Sequence, residues 1–211
     1  MWANRNSIPQ MGNVVEALAD RAVSERHELA AAEIRSLLDA ALHVMQRDDT
    51  LDPPVAQIVK VSGLSNQAFY RHFAGKDALL MALLADGRER MAHTIERRMA
   101  RAETRDDAIR AWVLAVLDQA RDPKAAAATR PFVANSDRLA VAYPDAVAAS
   151  RSELMRPLEN VVDAADALAV FHLAMGSMHD AVGARRTITR REAEEICDFA
   201  VRGCSPGMEQ S

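Results

Sequence analysis

Hydrogen-bonding side chains crowd one short stretch, Ser65-Asn66-Gln67 followed by Tyr70-Arg71-His72 and then Lys76. A carboxamide can accept from N6 and donate to N7 of a single adenine edge, which is how an Asn or Gln reads a base in the DNA major groove. Asn66 and Gln67 are therefore candidates for base readout; the plainer reading is a pair of solvated residues at a helix start. Arg71 is a candidate for a phosphate contact and reads equally as an ordinary surface charge, and Lys60, on the outer face of the helix before it, is a weaker candidate of the same kind. Lys76 opens a further helix, where the N-terminal dipole also favours an anion. From Pro53 to Lys76 there is no acidic residue, while Asp48, Asp49, Asp52 and Asp77 crowd just outside.

The elements that must hold these groups can be read from spacing. Val55, Ile58 and Val59 share the inner face of one short helix, and Phe69 and Phe73 that of the next. Between them Gly63 permits the left-handed backbone of a tight turn, Leu64 plugs the core, and Ser65 is a good N-cap for the second helix. Two short amphipathic helices around such a turn make a helix-turn-helix, whose second helix enters the major groove.

The whole chain is not basic. Its 211 residues carry 26 Lys+Arg against 30 Asp+Glu, a net charge of −4, so any DNA affinity must come from a local face and from dimerisation. Hydrophobic residues at 49 % and charged residues at 27 % fit a globular protein, and 4 % aromatics with abundant Ala and Leu favour helices over a sheet. No apolar run approaches the ~18 residues of a membrane span, so a cytoplasmic protein without a membrane partner is expected. Cys197 and Cys204 are too few for a disulfide framework and read as buried small hydrophobes in a reducing compartment.

Along the chain, residues 1–27 read as a mobile arm. A strong helix carries Ile34, Leu37, Leu38, Ala41, Leu42 and Met45 and is broken by Arg47-Asp-Asp-Thr-Leu-Asp-Pro-Pro54. After the helix-turn-helix a long helix runs from Lys76 to about Arg101. Another starts at Thr104, and Asp122-Pro123 is a stop and restart. Residues 124–143 are Ala-rich, with breaks at Asn135-Ser136 and Tyr143-Pro144. Asp145 to Val162 is helical with a kink expected at Pro157, and Ala164 to Val182 is a nearly continuous apolar helix. Thr189-Arg-Arg-Glu192 is a capping-box pattern opening the last helix, which stops at Gly203. The expectation is an all-α chain of about nine helices.

The segment Arg35 to Leu84 resembles the DNA-binding domain of the tetracycline-repressor (TetR) family of bacterial transcription regulators. The matching residues are Ala40-Ala41, Ile58, Ser62-Gly63-Leu64-Ser65, and above all Phe69-Tyr70-Arg71-His72-Phe73 with Lys76-Asp77-Ala78-Leu79-Leu80. Gln67 departs from a frequent Gly, Val59 from a small Ala, and Pro53-Pro54 stands where Thr is common. The resemblance implies a helix-turn-helix domain over 28–75, a helical ligand-binding and dimerisation domain over 76–205, and a tail over 206–211. It also implies that Tyr70 reaches a DNA phosphate through its hydroxyl, His72 through a ring N–H, and Lys76 through its ammonium.

By the same resemblance the second domain holds a cavity for a small, mostly apolar effector. Trp112, Phe132, Met155, Phe171 and Met175 are the candidate lining, and plain core is the alternative for each. The last two helices are the candidate homodimer interface, through Ala167, Phe171, Ala174 and Met178 on one and Ile196, Phe199, Ala200 and Cys204 on the other; packing within the monomer is the alternative. His172 and His179 share a helix face but lack the further ligands of a metal site, so no metal or other cofactor is expected. No nucleophile, base and orienting group converge at the spacing an enzyme needs. The expected function is a dimeric repressor released from a pseudo-palindromic operator by an apolar ligand. The alternative is a DNA-binding regulator, repressor or activator, that takes no small-molecule effector.

Overall fold

Five helices begin at a short polar side chain that accepts a backbone N–H of the first turn: Ser65, Thr104, Asp122, Asp163 and Thr189. Such caps satisfy donors that the helix itself leaves free, and they fix where each helix starts. At Thr189 the cap is reciprocal, since Glu192 accepts in return from the Thr189 backbone N–H at 2.8 Å.

The computed structural model describes residues 11–204, with side chains from 14 onward. Over that range the chain forms ten helices and no strand: α1 Met11–Asp48, α2 Val55–Ser62, α3 Asn66–His72, α4 Lys76–Met99, α5 Arg105–Arg121, α6 Pro123–Val133, α7 Ser136–Ala142, α8 Pro144–Glu159, α9 Ala164–Gly183 and α10 Arg190–Gly203. The Ala-rich stretch after Asp122 resolves into two helices, α6 and α7, which meet at Ala134-Asn135. Pro157 falls in the last turn of α8, which ends at Glu159, so the helix expected to run to Val162 stops earlier.

The N-terminal arm expected over 1–27 is, from Met11 on, part of α1. The chain has no Gly or Pro between Gly12 and Asp48, so nothing interrupts the helix once its second half is packed. Residues 14–29 are nevertheless all exposed, with Val14, Val15, Leu18, Val23 and Leu29 facing solvent. The part of that expectation covering 1–10, and the 206–211 tail, lie outside the described residues.

Two apolar cores organise the helices. The first gathers Leu37, Ala41 and Met45 of α1, Ile58 of α2, Phe69 of α3, Phe73 just after it, and Leu79, Leu80 and Leu83 of α4. Leu139 of α7 belongs to it as well, with Phe132 and Tyr143 packed alongside. The second surrounds α5 and takes in Ala92 and Ile95 of α4 together with α8, α9 and α10. Helix α4 thus contributes its first half to one core and its second half to the other. An exposed ion pair, Arg185 with Asp49, also joins the α9–α10 connection to the turn after α1.

Candidate nucleic-acid interface

The turn between α2 and α3 is built as the residue types require. Gly63 adopts φ 72°, a conformation that costs a side-chain-bearing residue energy. Leu64 is half-buried against the first core. Ser65 Oγ accepts from Ala68 N at 3.1 Å. Ser62 closes the corner: its hydroxyl accepts from Leu64 N at 3.3 Å, and its carbonyl accepts from Ser36 Oγ of α1 at 3.3 Å. Ile58 and Phe69 are wholly buried and Phe73 nearly so, so α3 is anchored by one face alone.

That anchoring turns the opposite face outward. Asn66 and Gln67 are exposed in the first turn of α3, and neither side chain bonds to another described residue. Tyr70 is 60 % exposed, its ring edge-on to Phe69 with centroids 5.2 Å apart. Lys60 is exposed on α2. These side chains can meet a duplex without rearrangement of the fold.

The remaining basic side chains are already paired. Arg71 Nη2 donates to Glu33 Oε2 at 2.6 Å, and His72 Nε2 lies 2.6 Å from the same oxygen. The His72 side chain is only 10 % exposed, so the ring that the resemblance turns toward a phosphate is turned toward α1 here. Hydrogen bonds from His72, and then from Arg71, hold the Glu33 carboxyl below the usual carboxylate range. Lys76 forms an ion pair with Asp52. The acid-free stretch in sequence is therefore not acid-free in space: Asp52 lies at its edge, while Glu33 comes from α1, 39 residues before His72.

The five effector candidates do not form one lining. Trp112, Met155 and Phe171 are buried in the second core, with Met175 half-buried against it. Trp112 Nε1 donates to Leu154 O at 2.9 Å, and its ring lies 6.1 Å from that of Phe171. Phe132 packs on the first core instead. Its neighbours on α6, Ala126 and Val133, face the second core, while Phe132, about 100° round the helix from Val133, faces the first. An open cleft between α4, α5 and the start of α6 is lined by Thr94, Arg98, Ala115, Asp118 and Gln119, none of which the sequence singled out.

The expected dimer stripe needs a similar correction. Ala167, Phe171, Ala174 and Met178 are buried within the subunit, where α9 packs against α5. Ala200 and Cys204 are buried too, and Ile196 is half-buried. The outward face of α9 carries Ala165, Leu168, Ala169, His172 and Gly176, and α10 presents Phe199 at 63 % exposure. Cys197 lies in the second core, where burial pushes its thiol up to about 11.

Residues 37–83 match the sequence model of the tetR family of bacterial regulatory proteins. No curated protein matches the sequence. Among solved structures, a Streptomyces coelicolor A3(2) protein classed as a candidate transcriptional regulator superposes with a TM-score of 0.68 at 19 % identity, covering 80 % of this chain and 98 % of its own. The fatty acid degradation regulator FadR of Bacillus halodurans gives 0.65 at 17 % identity, over 81 % and 95 %. A TetR family transcription regulator from Marinobacter aquaeolei VT8 gives 0.65 at 15 %, over 86 % and 100 %. Residues 37–83, which hold the helix-turn-helix, are thus similar to the tetR family of bacterial regulatory proteins, and the chain shares its fold with a solved TetR family transcription regulator.

Proposed function

We propose that the protein is a transcriptional regulator that binds duplex DNA as a homodimer, each subunit laying α3 in a major groove. The observation that carries this reading is the exposed, unpaired edge of α3, with Asn66 and Gln67 on a helix held from behind by Phe69 and Phe73. Asn66 and Gln67 would read base edges, while Tyr70, Lys60, Arg71 and Lys76 would contact the backbone. Ser65 serves by setting where α3 starts. Two-fold symmetry would present two such helices to a pseudo-palindromic operator. The exposed apolar face of α9 with Phe199 of α10 supports pairing through the last two helices, on a side of α9 rotated from the one its sequence suggested.

As for control, a repressor released by a small, mostly apolar ligand remains the first reading. Its physical support is α4, which is shared between both cores and would carry a change around Trp112, Phe171 and Met175 to the DNA-binding end. A ligand acts this way only if it binds the two conformers with different affinity. The second reading, a regulator without a small-molecule effector, is favoured by one observation: Trp112, Met155 and Phe171 are buried together in the second core. Titration of an operator complex with apolar compounds separates the two. Release accompanied by a change in Trp112 fluorescence supports the first.

DNA binding itself is tested by fluorescence anisotropy on an operator duplex. Asn66→Ala or Gln67→Ala is expected to cost ~1–3 kcal/mol and to relax preference at one base position, whereas Lys76→Ala should weaken all sequences alike. Unchanged preference in both amide variants would refute the assignment of base readers.

A further inference from the structure

The two basic side chains that end α3 share one carboxylate, and they share it unequally. Arg71 is 55 % exposed, Glu33 31 % and His72 10 %, yet both donors approach the same oxygen, Glu33 Oε2, at 2.6 Å. His72 is held in a narrow space between α3 and α1 and has little room to leave. Arg71 stands in water, where an ion pair contributes little and is readily exchanged. A carboxylate presents an arginine with the same kind of acceptor as a phosphate, so one guanidinium face cannot fully serve both.

We propose that Glu33 is a positioning residue with a second role as an internal competitor for DNA. Through His72 it ties the end of α3 to α1, and through Arg71 it occupies a cation that a backbone phosphate would otherwise take. The inference rests on the DNA-binding reading above. On binding, Arg71 swings from the Glu33 carboxylate to a phosphate. Glu33 keeps its bond to His72, so its charge is not stranded. The Glu33 pair thereby subtracts from what Arg71 gains by meeting a phosphate. Asp52, paired with Lys76 but 62 % exposed, is the looser counterpart of the same arrangement.

The test needs no operator. Wild type, Glu33→Gln, Arg71→Ala and the double variant are titrated by anisotropy against a mixed-sequence duplex of about three helical turns, over a series of salt concentrations. Glu33→Gln removes the charge but keeps an oxygen for His72, and thermal unfolding confirms that the fold is retained. It should bind ~3–10-fold tighter at low salt, since Arg71 is then free to pair with a phosphate. Arg71→Ala should make the slope of log K against log salt shallower by ~0.9, the loss of one phosphate contact. In the Arg71→Ala background the gain from Glu33→Gln should shrink below about twofold. Equal or weaker binding by Glu33→Gln, or a slope unaffected by Arg71→Ala, overturns the proposal. The slope arm stands even if Glu33→Gln is unstable. A wild-type protein that ignores the duplex at low salt would instead remove the DNA-binding reading itself.

Discussion

Ser65 offers a way to separate the folding of α3 from its contact with DNA. Its hydroxyl is the acceptor for Ala68 N at 3.1 Å, and α3 has only seven residues, so one cap is a large share of what defines its start. Ser65→Ala leaves that N–H to water. The loss of such a cap costs about 1 kcal/mol. With a urea m-value of about 2–3 kcal/mol/M, the unfolding midpoint should fall by roughly 0.3–0.5 M. Ser65→Asp restores an acceptor and places a negative charge at the positive end of the helix, so stability should recover or rise slightly. That same charge would face phosphates in a complex. The two variants are therefore expected to part company: Ser65→Ala less stable with modestly weaker DNA binding, Ser65→Asp as stable as wild type but at least ~10-fold weaker on DNA at low salt. Urea unfolding by far-UV circular dichroism and anisotropy on duplex DNA read the two properties separately. A Ser65→Asp variant that keeps full DNA affinity would refute the placement of the α3 start against the backbone.

Other predictions concern the second core and the subunit contact. With its pKa raised to about 11, Cys197 should react with a disulfide reagent at about pH 8 far more slowly than an ordinary thiol, and at the ordinary rate once denaturant exposes it. Fast labelling of the native protein at Cys197 would contradict its burial. Trp112→Phe removes the indole donor to Leu154 O and leaves a gap, so it should lower unfolding free energy by roughly 2 kcal/mol, measured by urea titration. Phe199→Glu, at a site 63 % exposed in the subunit, should shift sedimentation from dimer toward monomer with little change in intrinsic fold; a persistent dimer would move the interface elsewhere.

What the sequence made legible was mostly local. Gly63 and Ser65 specify a turn and a helix start within a few residues, and Phe69 with Phe73 declares the buried face of α3 by spacing alone. Asp122-Pro123 and Thr189 with Glu192 announce their helix boundaries for the same reason. Long-range partners left no such mark. Glu33 looks like any exposed acid of an α1 turn, and only the packing of α3 on α1 brings it to His72 and Arg71. Helix α9 failed differently: it is apolar nearly all round, so periodicity could not tell the stripe that packs on α5 from the one that carries Leu168 and Ala169. Phe132 was grouped with Trp112 by residue type, while the turn of α6 sends it to the other core. The first half of α1 carries no packing signal at all, and only the lack of a helix breaker hints at it.

Entry of α3 into the major groove, twice per dimer, is the claim on which the functional reading depends. Selection of bound fragments from random duplex DNA, followed by footprinting, addresses it most directly. Groove entry predicts enrichment of a two-fold-related sequence with half-sites about one helical turn apart or somewhat more, protected in the major groove and bound more weakly as salt rises. Recovery of no common sequence, together with no salt-sensitive binding at low ionic strength, would contradict it.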